Sequence, residues 1–114
     1  MNATQIQKIE TTFQDIMEKF DFEKVRALML INGWKWANQE PYDTYEVPRV
    51  DSMRSSCRGM FSRLKELLAE PGHLPYNRLG VGGFQLKFWT WESGAMELEL
   101  TFNWESVCYS VERD

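Results

Sequence analysis

Cysteine and histidine are scarce in this 114-residue chain, which has two of the first and one of the second. Two cysteines, Cys57 and Cys108, are too few for a disulfide framework, and they lack metal-ligand spacing. No metal site and no cofactor are expected. The lone histidine, His73, sits in a Pro/Gly-rich stretch with no Ser, Cys or Asp partner at a recognised spacing. It is read as a solvated loop residue, which leaves neutral-pH catalysis without its usual proton shuttle. No catalytic residue is expected. Positive charge is also short, with 13 Lys and Arg against 17 Asp and Glu for a net charge of −4. That balance argues against non-specific DNA binding, which draws its affinity from a basic footprint. No apolar run approaches the roughly 18 residues of a membrane span. The opening Met1-Asn2-Ala3-Thr4-Gln5 has no basic or apolar stretch of a secretory signal and no Gly at position 2 for myristoylation. The expected compartment is the cytoplasm.

What the chain does have is apolar and aromatic mass. Its length implies one domain, residues 1–114. A domain of this size removes roughly 65% of its unfolded surface from water. With 43% hydrophobic residues it builds a core without staples. Five Trp, seven Phe and four Tyr exceed what that core can house. The surplus is expected at a surface, pocket or interface.

Periodicity gives an α+β fold. Ile6, Ile9, Phe13, Ile16, Met17 and Phe20 recur at steps of three and four, predicting a helix over residues 3–19. Asp21 caps a second helix over 22–32, which Asn32-Gly33 ends. The two are expected to form an αα-hairpin. Trp34-Lys35-Trp36 reads as a short extended segment. Met53, Cys57, Met60, Phe61, Leu64, Leu67 and Leu68 define a third helix over 49–69, ended by Pro71-Gly72. Residues 70–83, with four Gly and two Pro, read as a loop.

Residues 84–112 read as antiparallel strands, three or four in a small sheet that the helices pack on. Phe84, Leu86 and Phe88 alternate with polar residues, as do Met96, Leu98, Leu100, Phe102 and Trp104. A two-residue turn at Ser93-Gly94 would oppose Phe88 with Glu99. A three-residue turn, Glu92-Ser93-Gly94 with Gly94 in a left-handed bulge, instead pairs Phe88 with Leu98, Leu86 with Leu100 and Lys87 with Glu99. Every pair then agrees, so the second register is expected. It places Trp89 and Trp91 opposite the apolar row, beside Glu97 and Glu99. A further strand over 107–112 follows from Val107, Tyr109 and Val111.

Three constellations bear on function. Arg54, Arg58 and Lys65 share one edge of the third helix beside Phe61, where they could grip a phosphate or form an ordinary solvated flank. Gly80-Val81-Gly82-Gly83-Phe84 precedes a strand, unlike a phosphate-cradling loop that opens a helix. Gly82 and Gly83 serve either as a flexible entry to the hairpin or as a place where a ligand comes close, with Phe84 beside it. Trp34, Trp36, Tyr42, Tyr45, Trp89 and Trp91 are the aromatic surplus. Unless a helix covers them, Trp89 and Trp91 with Glu97 and Glu99 form an interface, for a homodimer or a stacked base.

The order Phe20-Asp21-Phe22-Glu23-Lys24-Val25, Trp34-Lys35-Trp36, Val47-Pro48 opening a helix, Gly82-Gly83-Phe84 and an alternating acidic-apolar strand resembles a group of small tailed-phage proteins. The resemblance spans about residues 20–104 and implies a phage gene acting in a bacterial host. The chain departs from the group in its long first helix, around Tyr42–Tyr45, and after Trp104. Small acidic phage proteins of this size are often counter-defence factors. Some resemble inhibitors or adaptors that bind a host CRISPR or other immune effector directly. Others resemble sponges that sequester a nucleotide-derived signal at a dimer interface. The sponge reading assigns Arg54, Arg58 and Lys65 to phosphates, Trp36 or Phe84 to the base, and Gly82 and Gly83 to close approach. The inhibitor reading assigns the partner to Trp89, Trp91, Glu97 and Glu99. Both expect a binding protein that is not an enzyme, and a homodimer is expected.

Overall fold

The computed structural model describes residues 1–32, 47–72 and 75–113. Three helices precede a four-stranded antiparallel sheet: α1 (Ala3–Lys19), α2 (Phe22–Asn32), α3 (Val50–Ala69), β1 (Tyr76–Val81), β2 (Phe84–Thr90), β3 (Met96–Phe102) and β4 (Glu105–Val111). The strands lie side by side in sequence order, so each hairpin closes locally.

The helix starts follow from their caps. Asn2 accepts from the Gln5 backbone N–H at 2.9 Å while the Gln5 side chain accepts from the Asn2 backbone, a reciprocal box that satisfies two otherwise orphaned groups. Asp21 accepts from the Lys24 N–H at 3.0 Å and starts α2. The N-cap position of α3 falls on Arg49, whose side chain makes no capping bond. Ile9, Phe13, Ile16 and Met17 of α1 and Met53, Cys57, Met60, Phe61, Leu64 and Leu68 of α3 are the buried stripes. They meet in a parallel stack of Phe13 on Phe61, with centroids 4.3 Å apart.

The sheet's register follows from the turn between β2 and β3. Lys87 lies opposite Glu99, Phe88 opposite Leu98 and Leu86 opposite Leu100. Gly94 takes φ +87°, and its N–H donates to the Trp91 carbonyl at 2.8 Å. A left-handed residue at the end of a three-residue turn is a bulge that glycine adopts without steric penalty. Phe84, Leu86, Phe88, Met96, Leu98, Leu100 and Phe102 alternate inward and are buried.

α1 lies over β3 and β4, and α3 lies over β1 and β2. All helix-to-sheet packing is therefore on one face. α1 and α2 follow one another across Phe20 and Asp21, and α2's main neighbour is α3. The reason is the Phe20 and Phe22 pair at the junction, 4.8 Å apart, which drives both rings down onto Phe84 at the end of the sheet. Lys24 then reaches Glu105 at 3.1 Å and ties α2 to β4.

Two expectations are revised. Residues 70–83 are not all loop, because 76–81 form the edge strand β1, paired with β2 from Tyr76↔Trp89 to Val81↔Phe84. Gly82 and Gly83, at φ +57° and +93°, make the two-residue turn that lets Val81 meet Phe84. Such a turn needs positive φ at both positions. Trp104 does not continue the apolar row. The chain turns at Asn103 (φ +49°), and Trp104 stands 74% exposed at the hairpin tip.

Candidate functional site

Two surfaces among the described residues gather the side chains expected to bind. The first is a groove of about 430 Å³ between α1 and α3. It is lined on one side by Arg54, Arg58 and Lys65, the basic edge expected from the helical wheel, with Phe61 and Ser62 beside them. The opposite wall is α1, which contributes Glu10, Gln14 and Glu18. That acidic wall was not anticipated. Its four-residue spacing is visible in the sequence, but only the packing of α1 beside α3 brings it to the basic edge.

The three cations are differently committed. The Arg54 guanidinium donates to the Met17 carbonyl at 3.3 Å and lies 4.7 Å from the centre of the Phe22 ring. The Lys65 ammonium stands 3.8 Å from a Glu10 carboxylate oxygen and 5.5 Å from the Phe61 ring centre. Arg58 is exposed and makes no hydrogen bond or ion pair with the described residues. The groove thus holds one uncommitted cation, two cations that are pinned, and two carboxylates. An anion can sit at Arg58 while the carboxylates accept hydrogen bonds from hydroxyl or amino groups of the same ligand.

Cys57, buried on α3, lies between Arg54 and Arg58 in the sequence and feels both charges. Burial pushes its thiol up to about 12, and the two arginines lower it by less. A thiol so placed stays protonated and is no nucleophile.

The second surface is the sheet face turned away from the helices. Three cross-strand rows populate it: Tyr76, Trp89, Glu97 and Ser110; then Arg78, Lys87, Glu99 and Cys108; then Gly80, Gln85, Thr101 and Ser106. Trp89 and Trp91 meet edge to face, with centroids 6.3 Å apart and an interplanar angle of 85°. They border a shallow hollow of about 490 Å³ with Tyr76, Lys87 and Glu99. Trp91 is 53% exposed. No described helix covers these side chains.

The electrostatics of this face are graded. The Lys87 ammonium and a Glu99 carboxylate oxygen are 3.6 Å apart, and the Ser106 hydroxyl donates to Glu99 at 3.0 Å. Cys108 is exposed, with its Sγ 3.8 Å from Glu97. Desolvation on the sheet and then Glu97 and Glu99 push its thiol up to about 11. β1 and β2 contribute the positive charge, and β3 contributes the negative.

Several expected site residues are placed elsewhere. Phe84 cannot stack on a base, because it is 3% exposed and wedged against Phe20, Phe22 and Phe102 at centroid distances of 5.9, 5.8 and 4.8 Å. Gly82 and Gly83 are consumed by the β1–β2 turn and do not line the groove. Trp34, Trp36, Tyr42, Tyr45 and His73 lie outside the described residues. Among the described residues no polar or charged side chain is buried, and no three His, Cys, Asp or Glu side chains cluster to hold a metal ion. No described helix is long and apolar enough to cross a membrane.

No family model matches this chain, and no curated protein and no solved structure matches it either.

Proposed function

We propose that this chain is a binding protein that performs no chemistry and holds a small phosphorylated ligand, a nucleotide-derived signal, in the α1–α3 groove. The observation that carries this reading is the convergence of Arg54, Arg58 and Lys65 on one groove of about 430 Å³, within the size range of small-molecule sites. Arg58 offers a planar, uncommitted guanidinium, the geometry suited to bidentate contact with a phosphate. Glu10 and Glu18 on the facing wall suit ribose hydroxyls or exocyclic amines, which a bare phosphate site would not need. In a chain resembling small tailed-phage proteins, the purpose of such binding would be counter-defence by sequestering a host signal.

Calorimetry against cyclic nucleotides and cyclic ADP-ribose isomers tests the reading. The expected result is at least one member bound more tightly than about 10 μM, near −7 kcal/mol. Arg58→Ala should weaken that binding about tenfold or more while leaving the melting temperature unchanged, since its guanidinium makes no hydrogen bond or ion pair among the described residues. Arg54→Ala is the poorer probe, because it also removes a bond to Met17 and a contact with Phe22. A panel with no binder refutes the reading.

A further inference from the structure

We propose that the sheet face no described helix covers seats a second copy of this chain, packed face to face about a two-fold axis that runs along the strands between β2 and β3. Such an axis lays β2 of one copy over β3 of the other and β1 over β4, while each cross-strand row stays over the same row. Lys87 then faces the second copy's Glu99, and Glu99 faces its Lys87. Arg78 comes to lie over Cys108 beside that acidic strand. The face is self-complementary in charge under this operation because its cations lie on β1 and β2 and its carboxylates on β3. A C2 interface requires that kind of self-complementarity.

The other in-plane two-fold, running across the strands, lays β2 on β2 and β3 on β3. It opposes Lys87 to Lys87 and Glu99 to Glu99, and like charges pressed together cost several kcal/mol. The charge pattern therefore selects the axis along the strands. Aligned stacking is also the usual way two sheets pack, about 10 Å apart with strands within about 30°.

The same axis gathers the aromatics. Trp89 is on β2, next to the axis, and Trp91 follows just beyond the strand's end, so both copies bring their pair to the same end of the sandwich. Four tryptophans would meet there, at one end of the interface, and supply large apolar contact area at low entropy cost. Four strands at about 4.8 Å spacing and seven residues at about 3.3 Å rise give a flat footprint of roughly 300–400 Å² per copy before side-chain relief. Two copies then bury roughly 600–800 Å² before side-chain relief, below the roughly 1,200 Å² at which stable interfaces begin, so the dimer is a weak one that dissociates at micromolar concentrations or above.

Sedimentation velocity from about 1 to 300 μM measures it directly. The wild type should pass from monomer to dimer within that range. Lys87→Glu and Glu99→Lys should each weaken self-association about tenfold or more, since each opposes two like pairs at the interface. Their equimolar mixture should dimerise again, because every opposed pair then has opposite signs. Each single variant also sets like charges opposite each other on β2 and β3 of its own sheet, so each should lower the melting temperature by a few degrees while still unfolding cooperatively. In parallel, maleimide labelling of Cys108 should slow as wild-type concentration rises. A wild type that stays monomeric throughout overturns the proposal, as do variants that dimerise like the wild type or a mixture no better than its components. So does a Cys108 protected equally at every concentration, or a monomer that instead captures another protein through Trp91. The groove reading stands or falls separately, on calorimetry with Arg58→Ala.

Discussion

Phe84 is the residue whose role the structure changes most, and replacing it gives the sharpest test of the fold. Its ring joins α1, α2 and the sheet by touching Phe20, Phe22 and Phe102. A buried Phe removes about 150–250 Å² from water, worth roughly 4–6 kcal/mol at about 25 cal/mol per Å². Alanine keeps part of that, but the cavity forfeits the three aromatic contacts, so Phe84→Ala should cost about 3–5 kcal/mol. A domain of 114 residues has a total stability of roughly 6–17 kcal/mol, so the loss is a large fraction of the whole. Urea unfolding followed by tryptophan fluorescence reads it as a shifted midpoint at nearly constant slope. Phe84→Leu, which refills most of the space, should lose roughly 1–2 kcal/mol. A loss below about 1 kcal/mol for the alanine variant would refute the burial argument. A Phe84→Leu protein of wild-type stability that binds nucleotide poorly would restore Phe84 to the ligand site.

Other outcomes follow from single features. Gly94→Ala should destabilise by about 1–2 kcal/mol in the same assay, because φ +87° strains any Cβ; Asn should cost less there. The Arg113 guanidinium, 2.7 Å from the new Cβ, must swing aside and give up its 2.9 Å hydrogen bond to the Ser93 carbonyl, which adds to the loss. Cys57 makes stability fall at alkaline pH. Its unfolded thiol ionises near 9.0 while the native one holds its proton to about 12, so the unfolded state loses protons first. That contribution is complete below pH 9 and is lost as pH rises toward 12, by up to about 1 kcal/mol per pH unit. A Cys57→Ala chain should show a shallower decline between those limits in pH-dependent unfolding. Glu97→Gln should bring the Cys108 thiol down from about 11 and speed its alkylation at pH 8 under dilute conditions.

How much of this was legible beforehand depends on the range of the forces involved. The helix stripes, the Asp21 cap and the register at Gly94 depend on neighbours within a few residues, so periodicity and turn chemistry find them. β1 was missed because four glycines and two prolines in 70–83 outweighed a short edge strand, although Gly82-Gly83 between apolar residues is itself a hairpin signal. The basic edge of Arg54, Arg58 and Lys65 was visible on a helical wheel. That it faces Glu10 and Glu18 across a groove was not.

By itself, then, the sequence determined which residues are apolar together, where helices begin and how β2 pairs with β3, because local periods and turn geometry set these. Only the tertiary structure decided that all three helices share one face of the sheet. That packing buried Phe84 as a core residue and left Trp89, Trp91, Lys87 and Glu99 on a face no described helix covers. The physical reason is that burial is a property of what lies across the core. Two aromatic residues with similar local patterns, Phe84 and Trp91, met opposite fates because they point to opposite sides of one strand ribbon.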